Sequence, residues 1–163
     1  MCGRYSLTVD LDVLEERFAF QGGVTMPLRT KYNVAPTQEV LTIVNDGSDN
    51  QAEVMTWGLI PFWNLGPKFG ARIINARAET VAEKSIFRES FSKRRCLVIA
   101  DGFYEWKKTP EGKVPMRFVL KSGDPFGFAG LWATWTSPEG RSVKSCVVIP
   151  TEANSLMEPI HNR

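Results

Sequence analysis

The sequence has few of the residues that build disulfide frameworks and metal sites. It contains three cysteines, Cys2, Cys96 and Cys146, and one histidine, His161. An odd cysteine count without a secretory leader argues against a disulfide-stabilised extracellular fold, and the chain has no Cys-x-x-Cys pair. A structural zinc site needs four ligands, which would require all three cysteines and the single histidine together. We therefore expect no metal and no other cofactor.

Long hydrophobic runs are also missing. Apolar stretches such as CLVIA and CVVIP are too short to span a bilayer. Arg4 is followed by polar residues rather than by the apolar segment of a signal peptide. The sequence therefore predicts a cytoplasmic protein with no membrane partner.

The net charge is only +2, which by itself does not indicate a nucleic-acid partner. The basic residues are clustered, however, in the stretches SKRRC, EWKK and ARIINAR. Such clusters could form a phosphate-binding face. Solvated charge on surface loops is the simpler alternative and is favoured by charge alone.

Short strands dominate the hydrophobic pattern of this 163-residue chain, whose length fits one domain. EVLTIVN and AEVMTWG predict a hairpin, and from Cys96 onward four apolar runs alternate with turn signals. Apolar residues at helical spacing after Asp10 predict a helix with Asp10 as its N-cap. A capping box from Thr80 to Glu83 predicts a second helix that continues to about Phe91. LIPFWNLGPKFG is expected to be a loop. The pattern indicates an α+β, mainly β domain around a curved or barrel-like core.

Cys2 has a specific chemical capacity if Met1 is removed. Its α-amine would have a pKa of about 7.7–8, against about 10.4 for lysine, so far more of it is neutral at pH 7. Such an amine attacks an aldehyde to give a Schiff base, and the neighbouring thiol can then close a five-membered thiazolidine ring. The same residue could serve as the nucleophile of an amide hydrolase. Taken alone, Cys2 is more simply interpreted as a cysteine without a function. Cys96 and Cys146 lie in apolar runs and are expected to be structural.

Three other residues could assist a terminal cysteine. Glu105 lies among aromatic residues in DGFYEWKK, a setting that suits a general acid and base, although it could be an exposed strand residue. Asn75 in RIINARAET offers a donor and an acceptor, or could simply occupy a turn. His161 carries the only imidazole, the side chain that ordinarily titrates near neutrality, or is a polar residue of the tail.

Six motifs, taken together, resemble the SRAP family, the SOS-response-associated peptidases that bind abasic DNA. They are MCGRY at the start, YNVAPTQ at 32–38, WGLIPFW at 57–63, INARAET at 74–80, ADGFYEWKK at 100–108 and IHNR at the end. They occur in the family's order across the whole chain. The resemblance implies a single domain over residues 1–163 with the SRAP fold, a curved or barrel-like antiparallel sheet and a few short helices.

The resemblance also implies a function. Family members trap a ring-opened abasic site as a thiazolidine on the terminal cysteine, which here is Cys2. Asn75 would orient the amine and the sugar oxygens, and Glu105 would shuttle protons. His161 would polarise a sugar hydroxyl or assist removal of the initiator residue. The alternatives are a thiol-dependent peptidase and a non-catalytic single-stranded DNA-binding module.

The implied partner is single-stranded DNA that contains abasic sites. Arg4, Arg77 and Arg163 are expected to contact phosphates. Trp63 and Trp106 are expected to stack on bases or wedge between them, with core packing as the alternative. We expect a monomer that associates with the nucleoid when it is bound to DNA.

One departure concerns the end of the chain. The family pattern usually continues past the histidine and arginine into Met-Pro and a further segment, whereas this sequence stops at Arg163. We expect the last strand and helix of the usual domain to be absent, through either a natural short form or truncation.

Overall fold

The computed structural model describes residues 3–20, 30–45, 47–63 and 66–163. The elements follow the order β1 (Arg4–Leu7), α1 (Leu11–Phe18), β2 (Lys31–Val34), β3 (Glu39–Asn45), β4 (Asn50–Trp57), α2 (Pro67–Gly70), α3 (Ser85–Lys93), β5 (Arg95–Ala100), β6 (Gly102–Thr109), β7 (Gly112–Phe118), β8 (Phe126–Thr136) and β9 (Ser142–Val148). The predicted mainly β class with short helices is confirmed.

Five strands close into a barrel in the order β3-β4-β9-β8-β5, with β5 pairing back onto β3. The predicted hairpin is β3–β4, paired from Glu39 opposite Thr56 to Asn45 opposite Asn50. β4 and β9 run parallel, which departs from an all-antiparallel sheet. The reason is arithmetic, because strand direction cannot alternate all the way round a closed ring of five strands. At least one neighbouring pair must be parallel.

A second sheet of four strands, in the order β2-β1-β6-β7, lies beside the barrel. The chain passes from barrel to sheet through Asp101, the residue between β5 and β6. The ring of Tyr5 on β1 lies 5.4 Å from that of Trp57 and 5.9 Å from that of Phe128. These aromatic contacts join the small sheet to the barrel core and hold the first strand of the chain in place.

The predicted loop after β4 contains the short helix α2, which begins at Pro67. Proline suits this first helical position because its fixed φ matches the helix and no hydrogen bond is lost. The loop folds closely on itself, since a Cβ atom at Gly58 would lie 2.7 Å from the carbonyl oxygen of Gly70. Gly58 also has φ +136°, a conformation that side chains disfavour. Glycine is therefore required where this loop leaves the barrel.

The first predicted helix is confirmed as α1, with Asp10 at the N-cap position, although no side-chain hydrogen bond caps it there. The capping-box prediction was wrong, because α3 begins at Ser85 and its N-cap is Lys84. The Thr80 carbonyl, not its hydroxyl, accepts the N–H groups of Glu83 and Lys84, each at 3.1 Å. Residues 80–84 therefore form a turn that precedes the helix.

None of the helices in the described ranges is long and apolar enough to cross a membrane.

Candidate functional site

A buried carboxyl group lies on the wall of a cavity between the small sheet and the C-terminal segment. Glu105 on β6 is only 3% exposed. The cavity has a volume of about 330 Å³, within the range of small-molecule sites. Its lining also includes Phe103, Phe128 and Val148, residues 149–154, Met157 and Arg163. Phe103 and Glu105 share one face of β6, as the alternation predicted, and that face is directed into the cavity.

Asn75 is joined through its backbone to one of the residues that line this cavity. It forms an isolated parallel bridge with Val148, the last residue of β9 and a cavity-lining residue. Two hydrogen bonds fix this bridge, from Ala76 N–H to the Val148 carbonyl at 2.8 Å and from Val148 N–H to the Ile74 carbonyl at 3.2 Å. The indole N–H of Trp57 donates to the Ile74 carbonyl as well, at 3.0 Å. Asn75 is therefore held by the end of the barrel.

The C-terminal segment contributes Met157 and Arg163 to the cavity lining, and His161 lies between them in the sequence. The N–H of His161 donates to the carbonyl of Met157 at 2.9 Å. The N–H of Arg163 donates to Nδ1 of His161 at 3.2 Å. Because Nδ1 accepts this bond, Nε2 carries the proton of the neutral ring. His161 can therefore donate one hydrogen bond through Nε2.

Arg163 lines the cavity and is also engaged in an ion pair. Its Nη1 lies 3.0 Å from both carboxylate oxygens of Glu79. Two hydrogen bonds lower the pKa of the Glu79 carboxyl group. The larger effect comes from the backbone N–H of Glu79 and the smaller from the Arg163 side chain. A phosphate group that binds Arg163 would have to compete with this carboxylate.

Of the four predicted catalytic residues, Glu105 lines the cavity. Asn75 and His161 are each one backbone contact away from a lining residue, Val148 and Met157 respectively. The fourth, Cys2, lies outside the described residues. The described chain begins at Gly3, and β1 runs antiparallel to β6 with Arg4 opposite Tyr104. The strand that follows Cys2 is therefore the direct neighbour of the strand that carries Glu105.

The predicted DNA-binding residues are dispersed around this cavity. In a sheet, residues directly opposite each other share a face, and so do alternate residues of one strand. Arg4 is opposite Tyr104, and Trp106 is two residues further along β6. All three therefore lie on the face opposite to Glu105. Arg4 donates to the side chain of Asn33 at 2.9 Å, and Trp106 is 36% exposed. These two residues form a second surface of the small sheet rather than part of the cavity wall.

Two further DNA-binding candidates are exposed on the loops beside the barrel. Arg77 follows Asn75 by two residues and is exposed. Trp63 is 56% exposed and packs edge-on against Phe69, with ring centroids 6.3 Å apart. Core packing, the alternative for the tryptophans, therefore does not describe Trp63.

The two described thiols are poor nucleophiles, in agreement with the prediction that they are structural. Burial raises the pKa of Cys96 to about 12. Burial, and to a lesser extent the neighbouring Cys96, raises the pKa of Cys146 well above its usual value. Both thiols therefore stay protonated near neutral pH.

A polar network on β1 escaped the sequence analysis. Asp101 is only 4% exposed, and its carboxylate accepts hydrogen bonds from the Ser6 hydroxyl and from the N–H and hydroxyl of Thr8, each at 2.6 Å. Arg117 on β7 adds a contact at 3.2 Å. Burial acts to raise the pKa of Asp101, but the Ser6 and Thr8 hydrogen bonds and Arg117 outweigh it and lower that pKa. The only sequence signal was an acidic residue directly after the apolar run CLVIA.

Within the described ranges, no group of three or more His, Cys, Asp or Glu side chains could hold a metal ion.

Comparisons with known proteins all indicate the same family. The family model for SOS response associated peptidase (SRAP) matches residues 1–163. The chain is 47% identical to the abasic site processing protein YoqW of Bacillus subtilis, over 100% of this chain and 74% of that protein. It is 28% identical to the abasic site processing protein HMCES of Xenopus tropicalis, over 100% of this chain and 61% of that protein.

The fold agrees with this relationship. A crystal structure of a protein from Bacteroides thetaiotaomicron superposes with a TM-score of 0.88 and 29% sequence identity, covering 98% of this chain and 72% of that one. The predicted SRAP fold and the resemblance on which it rested are both confirmed. The family model, the relatives and the fold together establish that this chain belongs to the SOS response associated peptidase (SRAP) family.

Proposed function

We propose that this protein senses abasic sites in single-stranded DNA and joins itself to them covalently through Cys2, once Met1 has been removed. The crosslink would shield the lesion during the response to DNA damage. The names of its relatives, abasic site processing proteins, support the substrate. The observation that carries the proposal is the buried carboxyl group of Glu105 beside a cavity, on the strand next to β1.

The chemistry balances without an external reagent. The α-amine of Cys2 adds to the aldehyde carbon of the ring-opened sugar, and the resulting carbinolamine loses one water to give an imine. The thiol then adds to the imine carbon, and its proton passes to the nitrogen. A thiazolidine remains, with a new C–N bond, a new C–S bond and one water released. Each step moves a proton, so a positioned acid–base group would accelerate the reaction.

Glu105 is our candidate for that proton transfer. Cys2 is two residues from Arg4, a distance of at most about 7 Å of extended chain. Arg4 pairs with Tyr104, the residue before Glu105. This short tether supports our proposal that the Cys2 amine reaches the Glu105 carboxyl group, which is shielded from water. Asn75 and the Nε2 proton of His161 would orient the amine and the sugar oxygens.

Binding of the strand would involve residues of the small sheet, of the loops beside the barrel and of the C-terminal segment. Arg4, Arg77 and Arg163 would contact phosphates next to the lesion, and Trp63 and Trp106 would stack on neighbouring bases. Arg163 would exchange its Glu79 partner for a phosphate. Because a missing base is the feature to be recognised, we expect little sequence specificity. One molecule would suffice for one lesion, which is consistent with a monomer bound to DNA of the nucleoid.

Two further activities could share the same groups. The Schiff base could lead to β-elimination at the sugar, a lyase activity. Cys2 and Glu105 could also remove the initiator residue, and the family's name, SOS response associated peptidase, supports this self-processing. We do not expect turnover of unrelated peptides.

A Cys2→Ala variant with borohydride trapping tests the proposal. Alanine keeps the α-amine and loses the thiol, so the variant should yield no heat-stable adduct but should still give a Schiff base that borohydride traps. The parent protein should give the heat-stable adduct without borohydride. A stable adduct from the variant would rule out the thiazolidine. Equal affinity for intact and abasic strands, with no adduct at all, would favour a non-catalytic binding module.

A further inference from the structure

Two lysines face each other at the end of the β6–β7 hairpin. Lys108 is the direct cross-strand partner of Lys113, and both are exposed. Like charges directly opposite each other destabilise an antiparallel pair. In the described part of the chain neither lysine makes an ion pair, whereas Arg94, Arg117 and Lys144 each contact a carboxylate. The hairpin therefore holds two uncompensated positive charges close together.

The lysine pair extends a row of side chains that begins at Arg4. Arg4 lies opposite Tyr104, Trp106 opposite Pro115 and Lys108 opposite Lys113. Alternate residues of β6 share a face, so these pairs lie one after another on the same side of the sheet. Arg117 shares this face but is held by Asp101. Along this face, the cation of Arg4 is followed by the aromatic ring of Trp106 and then by the two lysines.

The spacing of this row suits a nucleic-acid strand. Lys108 lies four residue steps beyond Tyr104 on β6, about 14 Å at the rise of a β-strand. That length corresponds to about four stacked nucleotides at 3.4 Å each. Trp106 lies midway and offers an exposed ring on which a base can stack. Glu111, in the turn beyond the lysine pair, is the acidic residue of the hairpin tip, and Glu105 lies on the opposite face.

We propose that Lys108 and Lys113 bind phosphates of the DNA strand that flanks the lesion, about four nucleotides beyond the phosphate held by Arg4. The strand would follow the β6–β7 hairpin, with one base on Trp106. This inference rests on the proposed function, because it takes single-stranded DNA as the partner. It adds a binding surface away from the cavity and predicts that affinity depends on the length of the flanking strand.

Salt-dependent binding of a strand that cannot react tests this surface. The probe is a labelled single-stranded oligonucleotide with a central tetrahydrofuran residue, which mimics an abasic site but has no aldehyde, and about ten nucleotides on each side. The double variant Lys108→Ser/Lys113→Ser should bind about tenfold more weakly. Its plot of log K against log salt should be shallower by about 1.4, which is about 0.7 per lost phosphate contact.

Three controls make the test specific. Lys107→Ser changes a neighbouring lysine that points to the opposite face, so it should alter the slope far less. Lys108→Arg/Lys113→Arg keeps both charges and should bind as the parent does. Shortening one flank to two nucleotides should remove the difference between the parent and the double serine variant, and this result identifies the flank that is bound.

Two outcomes would overturn the inference. One is a parental salt slope in the double serine variant. The other is a larger loss in Lys107→Ser, which would place the strand on the other face of the hairpin. Failure of the proposed function would look different. A parent protein that binds the inert probe but never crosslinks to a true abasic site would refute the crosslinking proposal. The salt slopes would still test whether Lys108 and Lys113 bind phosphates.

Discussion

Glu105 is almost fully withdrawn from water, yet its carboxyl group borders an open cavity. Carboxyl groups are seldom buried without a reason, because desolvation of the charged form is costly. We propose that this carboxyl group serves the chemistry of the cavity. This is the residue on which the proposed proton transfers depend most.

Replacing Glu105 by glutamine should separate catalysis from folding. Glutamine has almost the same shape but cannot exchange a proton, so crosslinking at saturating DNA should slow by about 10²–10³-fold, a typical loss for an acid–base group. Single-turnover kinetics with an abasic oligonucleotide would measure this. Glu16→Gln, at an exposed site on α1, is the matched control. An unchanged rate in the Glu105 variant would remove Glu105 from the mechanism.

The three thiols should differ sharply in reactivity. At pH 8 a thiol with a pKa of about 12, such as Cys96, is ionised to only about one part in 10⁴. Cys146 is fully buried and has a raised pKa as well. Iodoacetamide should therefore modify only Cys2 in the native protein, as seen by peptide mass mapping. All three thiols should react in urea, and native labelling of Cys96 would contradict the packing.

At the scale of elements, β1 is fixed by more than its backbone pairing. Asp101 accepts three hydrogen bonds from Ser6 and Thr8, and its own N–H donates to the Ser6 carbonyl at 2.9 Å. A shift of one residue along β6 would turn every side chain of β1 to the other face. The network therefore fixes the register of the strand that begins two residues after Cys2.

Asp101→Asn should destabilise the protein by about 2 kcal/mol at pH 7, because an amide cannot accept all of these bonds and its NH₂ group opposes a donor. The stability should also depend on pH. A lowered native pKa stabilises the fold above the unfolded value of about 3.9, and this stabilisation is lost as the pH falls through the native pKa. Urea unfolding from pH 7 to pH 3 would measure both effects.

The expected difference between parent and Asp101→Asn is largest at pH 7 and shrinks toward pH 3. Asp124→Asn, at an exposed position, is the control and should change little. A pH-independent difference would show that the carboxylate charge plays no part in holding β1.

At the scale of the whole molecule, local patterns predicted most of the strands. The four apolar runs from Cys96 onward alternate with turn signals, and the fold has five strands there, because the run CLVIADGFYEW divides at Asp101 into β5 and β6. The parallel β4–β9 pair was not predictable in this way, since it joins strands far apart in sequence and follows from closing a ring of five. The start of α3 was missed because the Thr80 carbonyl, rather than its hydroxyl, closes the turn before the helix.

The candidate site was likewise only partly predictable from the sequence. The motifs identified Glu105 and Asn75, but only the fold joins Asn75, through its bridge with Val148, to the lining of the cavity that contains Glu105. Asp101 and the Glu79 partner of Arg163 depend on contacts across 93 and 84 residues of chain, which no local pattern records. The placement of Trp106 and Lys108 on the face opposite to Glu105 required the strand register.

The central claim is a covalent bond between Cys2 and an abasic site, and intact mass measurement tests it most directly. The protein would be incubated with a single-stranded oligonucleotide that contains one abasic site and, in parallel, with the intact strand. We expect a heat-stable adduct only with the abasic strand, at the summed masses minus one water, with Met1 absent and the bond mapped to the terminal peptide. A protein that lacks Met1 and binds the abasic strand, yet forms no adduct, would contradict the claim.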